Sequence, residues 1–509
     1  MHIGGNFAMA ARRHPEKIGF IYENRKYTYG EFNERVNSLA WALLEMGLKK
    51  GSRIGLFMQN SDWFVMAFLA IQKIGCIAVP INYRLTLPEL TYIIGNSETS
   101  LLFLDQEYLN FARELKKQGY LPYGAVVCPE YTGEEQGFFS IEKLSREFST
   151  VEPPVEVRED DDCEILYTSG TTGFPKGALF DHHRIIHVGY NMIAELGINS
   201  FDRILHVAPL FHSAQLNLFL NSGLHVGATH VIVRQFEPGQ VLRLLAEEKI
   251  TFFFGVPAMY AFMLNHPDFS KYDFSHIKRF GYGAAPMPVS LIKLAMEKFK
   301  SDQFYNLCGL TEAGPGGILL RPHEHKNKLG ASGKAIINTE AKVVNDRGEE
   351  VKPGEIGEFI LRGETIMKAY YRNPQATAET IKDGWLYTGD LATVDEDGYI
   401  TLVDRKKDMI ITGGENVYST EVEQVVTQHP AVFEAAVIGV PHPVWGETVT
   451  AVVVLKPGHS LTIEELREFC RDKLADYKIP RILKLVEALP RNASGKILKY
   501  RLREELKNL

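Results

Sequence analysis

The most informative segment of the chain reads Tyr167-Thr-Ser-Gly-Thr-Thr-Gly-Phe-Pro-Lys-Gly177. It follows the apolar pair Ile165-Leu166, which indicates a strand that ends where a loop begins. The glycines allow close backbone approach, the four hydroxyls donate hydrogen bonds, and Lys176 adds positive charge, so the loop suits a nucleotide polyphosphate. It differs from the P-loop of the common NTPases, because Lys176 is followed by glycine and alanine rather than Ser or Thr. A flexible surface loop would have a similar composition, so the rest of the chain must decide.

Strand and helix patterns alternate on both sides of this loop. Thr28 and Glu31 form a capping box that opens a helix ending at Gly47, and a strand, a helix and a strand follow over 53–58, 61–73 and 77–81. The same order recurs over 228–256 and 279–307. Repeated β-α-β units predict parallel sheets with helices on their faces.

The sequence pattern changes after about Leu329, where short predicted strands alternate with turn signals such as 346–348, 352–354 and 395–398. This pattern predicts a β-barrel-like subdomain. From Asp408 a compact α+β segment follows. We therefore predict an α/β protein with two β-α-β sheet subdomains and a β-barrel-like subdomain in a large domain over 1–406, and a small mobile α+β domain over 407–509.

Composition narrows the class of protein. The 509 residues are 45% hydrophobic and 23% charged, and the net charge of -7 gives no support for nucleic-acid binding. No apolar run approaches the roughly 20 residues of a membrane span, and no signal peptide is evident at the start. The five cysteines are scattered without a metal-binding or disulfide spacing, which fits a reducing cytoplasm. We expect a cytoplasmic protein.

Six further segments complete the set of motifs. They are Gly283-Ala-Ala-Pro286, Leu310-Thr-Glu312, Gly384-Trp-Leu-Tyr-Thr-Gly-Asp390, Asp404-Arg-Lys-Lys-Asp408, Gly413-Gly-Glu-Asn-Val-Tyr-Ser419 and Pro490-Arg-Asn-Ala-Ser-Gly-Lys496. Taken singly, each would be an ordinary turn, helix start or charged loop.

Together with the first loop, these segments resemble, in order and across the whole chain, the signatures of the adenylate-forming (acyl-activating, AMP-binding) superfamily. The similarity is greatest to bacterial fatty acyl-CoA synthetases, the long-chain-fatty-acid–CoA ligases. The resemblance implies that Thr168, Ser169, Gly170, Thr171, Thr172, Gly173 and Lys176 hold the ATP phosphates. It also implies that Gly283, Ala284 and Ala285 line the adenine pocket and that Asp390 and Arg405 bind the nucleotide.

The resemblance assigns catalytic roles as well. Thr311 would contact the α-phosphate, Glu312 would hold Mg²⁺, and Lys496 would bridge the substrate carboxylate and the α-phosphate. Preorganised charge of this kind is typically worth about 10²–10³ in rate. Lys407 would be the hinge about which the small domain turns. Its Gly413-Gly414-Glu415 loop would then enter the site for attack by the CoA thiol.

The acyl pocket is expected around His212, Cys308 and Gly309. His212 stands where peptide-synthetase adenylation domains have an aspartate nearby, and the apolar residues that follow favour an uncharged substrate. Cys308 replaces the aromatic residue that usually stacks on adenine in the family. The chain is therefore expected to be an AMP-forming acid–thiol ligase that uses ATP, Mg²⁺ and CoA on a medium- or long-chain fatty acid.

Three alternatives stay open at this point. They are an aryl-CoA ligase of the benzoate or coumarate type, an adenylating enzyme that loads a carrier protein, and a non-catalytic nucleotide-binding module. The sequence also leaves open peripheral membrane contact and a homodimer.

Overall fold

The computed structural model describes residues 1–168, 175–491 and 497–507. Within them, the strands are β1 Ile18–Tyr22, β2 Arg25–Thr28, β3 Arg53–Phe57, β4 Ile77–Pro80, β5 Leu101–Asp105, β6 Ala125–Cys128, β7 Phe138–Ser140, β8 Asp162–Thr168, β9 Lys176–Asp181, β10 Arg203–His206, β11 Thr229–Ile232, β12 Phe252–Gly255, β13 Arg279–Gly283, β14 Phe304–Gly309, β15 Gly317–Leu320, β16 Lys334–Ala335, β17 Thr339–Val344, β18 Ile356–Gly363, β19 Ala369–Tyr370, β20 Ile381–Lys382, β21 Trp385–Val394, β22 Ile400–Arg405, β23 Ile410–Thr412, β24 Glu415–Val417, β25 Val432–His442, β26 Gly446–Leu455 and β27 Ile482–Leu485.

The helices of the described residues are α1 Ile3–Arg13, α2 Tyr29–Glu45, α3 Asp62–Lys73, α4 Leu87–Ser97, α5 Leu109–Lys117, α6 Ile141–Leu144, α7 His182–Leu196, α8 Asn221–Val226, α9 Pro238–Glu247, α10 Pro257–Leu264, α11 Val289–Phe299, α12 His325–Lys328, α13 Pro374–Thr380, α14 Ser419–Val426, α15 Ile463–Arg471 and α16 Lys499–Leu506. A π-helix over Ala214–Leu220 leads directly into α8. None of these helices is long and apolar enough to cross a membrane.

Four sheets organise the chain. Two large ones have the strand orders β16-β15-β14-β13-β12-β10-β11-β1-β2 and β19-β9-β8-β4-β3-β5-β6-β7. A five-stranded antiparallel sheet, β17-β18-β21-β20 with β22 beside β21, follows them, and the last sheet is β24-β23-β26-β25 with β27 beside β26. The predicted α/β architecture of a large part with two β-α-β sheets, a smaller β part and a terminal α+β part is confirmed.

The two large sheets are mixed rather than parallel throughout, which corrects the prediction. Their centres are parallel, as in β12–β13–β14 and β4–β3–β5. Toward one edge of each sheet the strands are antiparallel, because the short connections β14–β15 and β8–β9 return directly without a crossover helix. The opposite edge of the eight-stranded sheet, β6–β7, is parallel. The loop predicted to bind phosphate, within residues 167–177 and called the phosphate loop below, thus connects the antiparallel strands β8 and β9.

Local sequence signals explain the element ends well. The Thr28–Glu31 and Thr462–Glu465 capping boxes both form, each with the threonine side chain accepting from the glutamate N–H. Ser61 caps α3, and every residue of α3 is buried, which explains the apolar run from Trp63 to Ile71. A helix this apolar on all sides belongs in the core of a large domain.

One carboxyl group lies in this interior. Glu164 on β8 is fully buried, and its Oε2 accepts a hydrogen bond of 3.0 Å from Nδ2 of Asn217 in the π-helix. Its Oε1 has no partner among the described residues. Burial raises the pKa of Glu164 to about 7. The carboxyl group therefore keeps its proton in the folded state at pH values where the unfolded chain has lost it.

This difference predicts a pH-dependent effect of Glu164→Gln on stability. Because the folded-state pKa is raised, Glu164 lowers stability progressively as pH rises from about 4.5 to about 7. The neutral amide carries no such penalty. We expect the advantage of the variant in the free energy of unfolding to grow by about 2 kcal/mol between pH 5.5 and pH 8, measured by chemical denaturation. The exposed Glu134→Gln is the matched control, and an equal pH response of the two variants would contradict the assignment.

Candidate active site

The centre of the site is the carboxylate of Glu312, which follows β14 in a short helix over Thr311–Ala313. Its Oε1 accepts hydrogen bonds from the Tyr370 hydroxyl at 2.8 Å and from Oγ1 of Thr168 at 3.3 Å. Thr168 ends β8 and Tyr370 lies in β19, so both donors come from the other large sheet. The side chain of Glu312 therefore joins the two large sheets next to the phosphate loop.

This carboxylate fits the expected Mg²⁺ role. Among the described residues only Oε1 of Glu312 accepts side-chain hydrogen bonds, which leaves Oε2 for a cation. Mg²⁺ is usually bound by one or two carboxylates together with substrate phosphates and water. The described part of the chain contains no group of three or more His, Cys, Asp or Glu side chains that could hold a metal ion. A site completed by the phosphates of ATP agrees with that finding.

Tyr370 is a site residue that the sequence analysis missed. Burial raises the pKa of its hydroxyl, so the hydroxyl stays protonated and donates to Glu312. Nζ of Lys176 lies 4.8 Å from the centre of its ring. The backbone N–H of Tyr371, directly after β19, donates a hydrogen bond of 2.7 Å to the carbonyl of Gly177. This contact also holds the far end of the phosphate loop. The one sequence feature that could have drawn attention to Tyr370 is the pair of adjacent tyrosines shortly before Asn373-Pro374.

The residues expected around adenine lie at the ends of adjacent strands. A Cβ at Gly283 would stand 2.1 Å from the carbonyl oxygen of Leu307, so only glycine fits there. A Cβ at Gly309 would be equally close to the carbonyl oxygen of Pro315. The next residue after β13, Ala284, has a φ of 62°, a left-handed value that few L-residues adopt. Together with the partly buried Ala285, it turns the backbone out at the end of the sheet.

Asp390 and Arg405 face each other on β21 and β22. Nε of Arg405 lies 2.5 Å from Oδ1 of Asp390, and the two residues are direct partners in the strand pairing. The two residues predicted to bind the nucleotide are thus already in contact with each other in the protein alone. The guanidinium orients the carboxylate, which is an acceptor suited to sugar hydroxyls.

The acyl side of the site begins at the same short helix. Oγ of Ser213 lies 3.0 Å from Oγ1 of Thr311, which connects the predicted phosphate contact to the segment of His212. His212 is partly buried, and its Nδ1 accepts from the N–H of Ala214 at 3.3 Å. Cys308 is partly buried and Gly309 is exposed at the end of β14. The structure therefore gathers His212, Cys308, Gly309 and Thr311 around one region.

The predicted hinge lies in a tight turn after β22. The N–H of Asp408 donates a hydrogen bond of 2.8 Å to the carbonyl of Arg405, so the chain reverses at Lys407. On one side Asp404 accepts from the N–H and the hydroxyl of Ser419, and on the other Asp408 pairs with Arg503 at 2.7 Å. Both neighbours of the hinge are thus tied to residues of the terminal α+β part.

The loop expected to serve the CoA step connects β23 and β24. Gly413 and Gly414 have φ values of 60° and 86°, which glycine adopts without strain. The N–H of Gly413 donates a hydrogen bond of 2.8 Å to the carbonyl of Trp445. The side chain of Glu415 is exposed. Trp445, and Thr412 which pairs with Glu415, also belong to the terminal part. Ser169, Gly170, Thr171, Thr172, Gly173 and Lys496 lie outside the described residues.

Comparison with known proteins agrees with this geometry. Residues 7–371 match the AMP-binding enzyme family, and residues 421–496 match the AMP-binding enzyme C-terminal domain. The chain belongs to the AMP-binding enzyme family. This membership confirms the resemblance given by the motifs and the adenylate-forming fold. The predicted boundary between residues 406 and 407, which falls between the two matched regions, stays a prediction, as do the roles of individual site residues.

Similar proteins are named for different acids. A feruloyl-CoA synthase from Amycolatopsis sp is 36% identical over 494 residues, covering 97% of this chain and 96% of that protein. The long-chain-fatty-acid–CoA ligase FadD13 of Mycobacterium tuberculosis is also 36% identical, over 94% of this chain and 93% of its own. A solved structure of the anthranilate CoA ligase AuaEII with anthranoyl-AMP superposes with a TM-score of 0.92 at 30% identity, covering 100% and 97% of the two chains.

The Glu312 contacts predict a specific defect for Glu312→Gln. The amide keeps the shape of the side chain but loses the charge that would hold Mg²⁺ against the polyphosphate. We expect acid-dependent exchange of pyrophosphate into ATP to fall about 10²-fold or more, with a higher Mg²⁺ concentration needed for half-maximal rate. The exposed Glu379→Gln serves as control. An unchanged Mg²⁺ requirement in Glu312→Gln would remove Glu312 from the metal role.

Proposed function

We propose that the protein activates a medium- or long-chain fatty acid as its acyl-adenylate and transfers the acyl group to CoA, releasing AMP and pyrophosphate. The chain is an AMP-forming acyl-CoA synthetase that works with ATP, Mg²⁺ and CoA. The identity of the acid is the part that the proposal adds.

The apolar cluster beside the site supports a hydrocarbon substrate. Leu218 and Phe219 of the π-helix pack with Leu307 and Leu319 of the neighbouring strands, and the partly buried Ala214 borders the same cluster. Polar side chains of the π-helix are bonded elsewhere, Gln215 to His206 and Asn217 to Glu164. The face of the helix that borders Leu307 is therefore apolar, next to the Ser213–Thr311 contact.

The reaction would take place in two steps. A carboxylate oxygen of the acid attacks the α-phosphorus of ATP, the bond between that phosphorus and the bridging oxygen breaks, and pyrophosphate leaves. Thr311 and Lys496 would stabilise the developing negative charge, and Mg²⁺ held by Glu312 would neutralise charge on the phosphates. The CoA thiolate then attacks the acyl carbonyl and AMP leaves. The hinge at Lys407 would exchange Lys496 for the Gly413-Gly414 loop between these steps.

An aryl acid is the second candidate. Its support is the equal identity of the chain to a feruloyl-CoA synthase and to a fatty-acid ligase, together with the superposition on an anthranilate ligase.

The deciding experiment measures AMP release by the purified protein with ATP, Mg²⁺ and CoA across straight-chain, benzoic and cinnamic acids. We expect a clear optimum in kcat/KM among the straight-chain acids. A preference for cinnamic or benzoic acids would establish the aryl alternative. Activity that requires an acyl carrier protein in place of CoA would overturn the proposed acceptor.

Ala214, a small residue beside the apolar cluster, is expected to influence the accepted chain length. We expect Ala214→Leu to lower kcat/KM for the longest accepted fatty acids by about tenfold or more while changing the shorter ones less, because the added carbons occupy space that only a long chain needs. The same chain-length series gives the answer. A uniform loss for all acids would indicate damage to the site instead of a narrower pocket.

The two half-reactions can be separated at Lys496. We expect Lys496→Ala to abolish formation of acyl-AMP but to leave thioester formation from supplied acyl-AMP and CoA largely intact. Rapid-quench assays of each half-reaction measure both rates. Lys484→Ala, at an exposed lysine of the same terminal part, is the control. Equal loss of both half-reactions in Lys496→Ala would contradict its role.

A further inference from the structure

A second cleft, of about 590 Å³, opens at the surface of the large domain among residues that no motif includes. Its lining comes from β2 and the turn before it, from α2, from the start of α3, and from the segment after β6 together with α6 and the residues that follow it. Its lining residues are Asn24, Arg25, Lys26, Tyr27, Arg35, Trp63, Pro129, Glu130, Glu142 and Arg146.

The cleft is built on a fixed aromatic and guanidinium frame. Arg25 forms two hydrogen bonds of 2.7 Å with the buried carboxylate of Asp62, at the start of α3. Its guanidinium carbon lies 5.4 Å from the centre of the Trp63 ring. The guanidinium of Arg35 lies over the ring of Tyr27 in the same way, at 5.2 Å. These contacts hold two guanidinium groups in place without using all of their donors.

Two N–H donors of this frame have no hydrogen-bond partner among the described residues. Trp63 is 4% exposed, and its indole N–H has no hydrogen-bond partner among the described residues. Within the described chain, Nη1 of Arg35 is also buried without a hydrogen bond, and its ion pair with Glu142 is a long one of 3.9 Å. Glu142 is bonded more closely by Arg146. Buried polar groups are nearly always paired, so two such donors beside one cleft point to a missing acceptor.

The charge around the cleft has the matching sign. Four basic side chains line it, whereas the acidic groups are Glu130 and Glu142 in the lining and Asp62 behind Arg25. Lys26 lies 3.6 Å from Glu248, but Arg203 binds that carboxylate more closely, at 2.6 Å. The local excess is therefore positive in a protein whose net charge is -7.

We propose that this cleft binds a small metabolite through an oxyanion group, a phosphate or a carboxylate. The oxyanion would accept from Arg35 and from the indole N–H of Trp63, with Lys26 and Arg146 at the rim. Guanidinium groups suit such ligands because they present parallel donors to two oxygens at once. The site is separate from the residues assigned to ATP, the acid and CoA, so it would hold a ligand that is not a reactant.

Binding can be measured without any assay of the reaction. The probes are inorganic phosphate, glucose 6-phosphate and citrate, titrated calorimetrically into the protein with AMP at saturating concentration to fill the nucleotide site. We expect at least one probe to bind with a stoichiometry of one. Phosphate and glucose 6-phosphate represent the phosphate group and citrate represents the carboxylate group, so the ranking of the probes identifies the chemistry.

Matched variants then locate the binding. Arg35→Gln removes the guanidinium group and should weaken binding about tenfold or more. Trp63→Phe keeps an aromatic ring but removes the indole N–H and should weaken binding several-fold. Arg113→Gln, at an exposed Arg113–Glu135 pair elsewhere, should bind as the natural protein does. Thermal denaturation of each variant shows that it is folded. Failure of all three probes at millimolar concentrations, or equal binding by Arg35→Gln and Arg113→Gln, would overturn the proposal.

Discussion

The hydrogen bonds of Glu312 across the two large sheets are the constraint on which the rest of the site depends. The nine-stranded sheet supplies Glu312, and the eight-stranded sheet supplies its donors Thr168 and Tyr370. An ionised carboxylate between two sheets must be bonded or must face a cation. The same contact that closes the junction uses one carboxylate oxygen, and the other is the one proposed to hold Mg²⁺. Because Thr311 precedes Glu312, it also sets the position of Thr311 relative to Ser213 on the acyl side.

A second junction lies deeper, where the π-helix meets β8. Asn217 donates to the buried carboxyl of Glu164, while Leu218 and Phe219 of the same helix pack with Leu307. A π-helix spaces its side chains differently from an α-helix, so polar and apolar residues that are adjacent in sequence can meet different neighbours. The face of the helix toward Leu307, beside the proposed acyl region, is therefore apolar although the segment contains Gln215 and Asn217. Such local π geometry is frequent at functional sites.

Some features could be predicted residue by residue. The capping boxes at Thr28 and Thr462, the strand Arg279–Gly283 and the helix Val289–Phe299 follow from short-range patterns that act within one element. Other features could not be predicted. The antiparallel pairs β8–β9 and β14–β15 of the large sheets depend on which strands become neighbours, and the π-helix depends on the packing of both its faces. Tyr370 is 58 residues from Glu312 in sequence, so no local pattern could pair them.

The sequence by itself determined the family, the order of the motifs and the alternation of strands and helices, because these depend on residue types at fixed short spacings. The tertiary structure decided which residues share a site. It brought Thr168, Lys176, Glu312 and Tyr370 together, set Asp390 against Arg405, and opened the cleft between Arg35 and Trp63. The physical reason is that contacts between distant segments are fixed by sheet order and burial, which only the complete fold specifies.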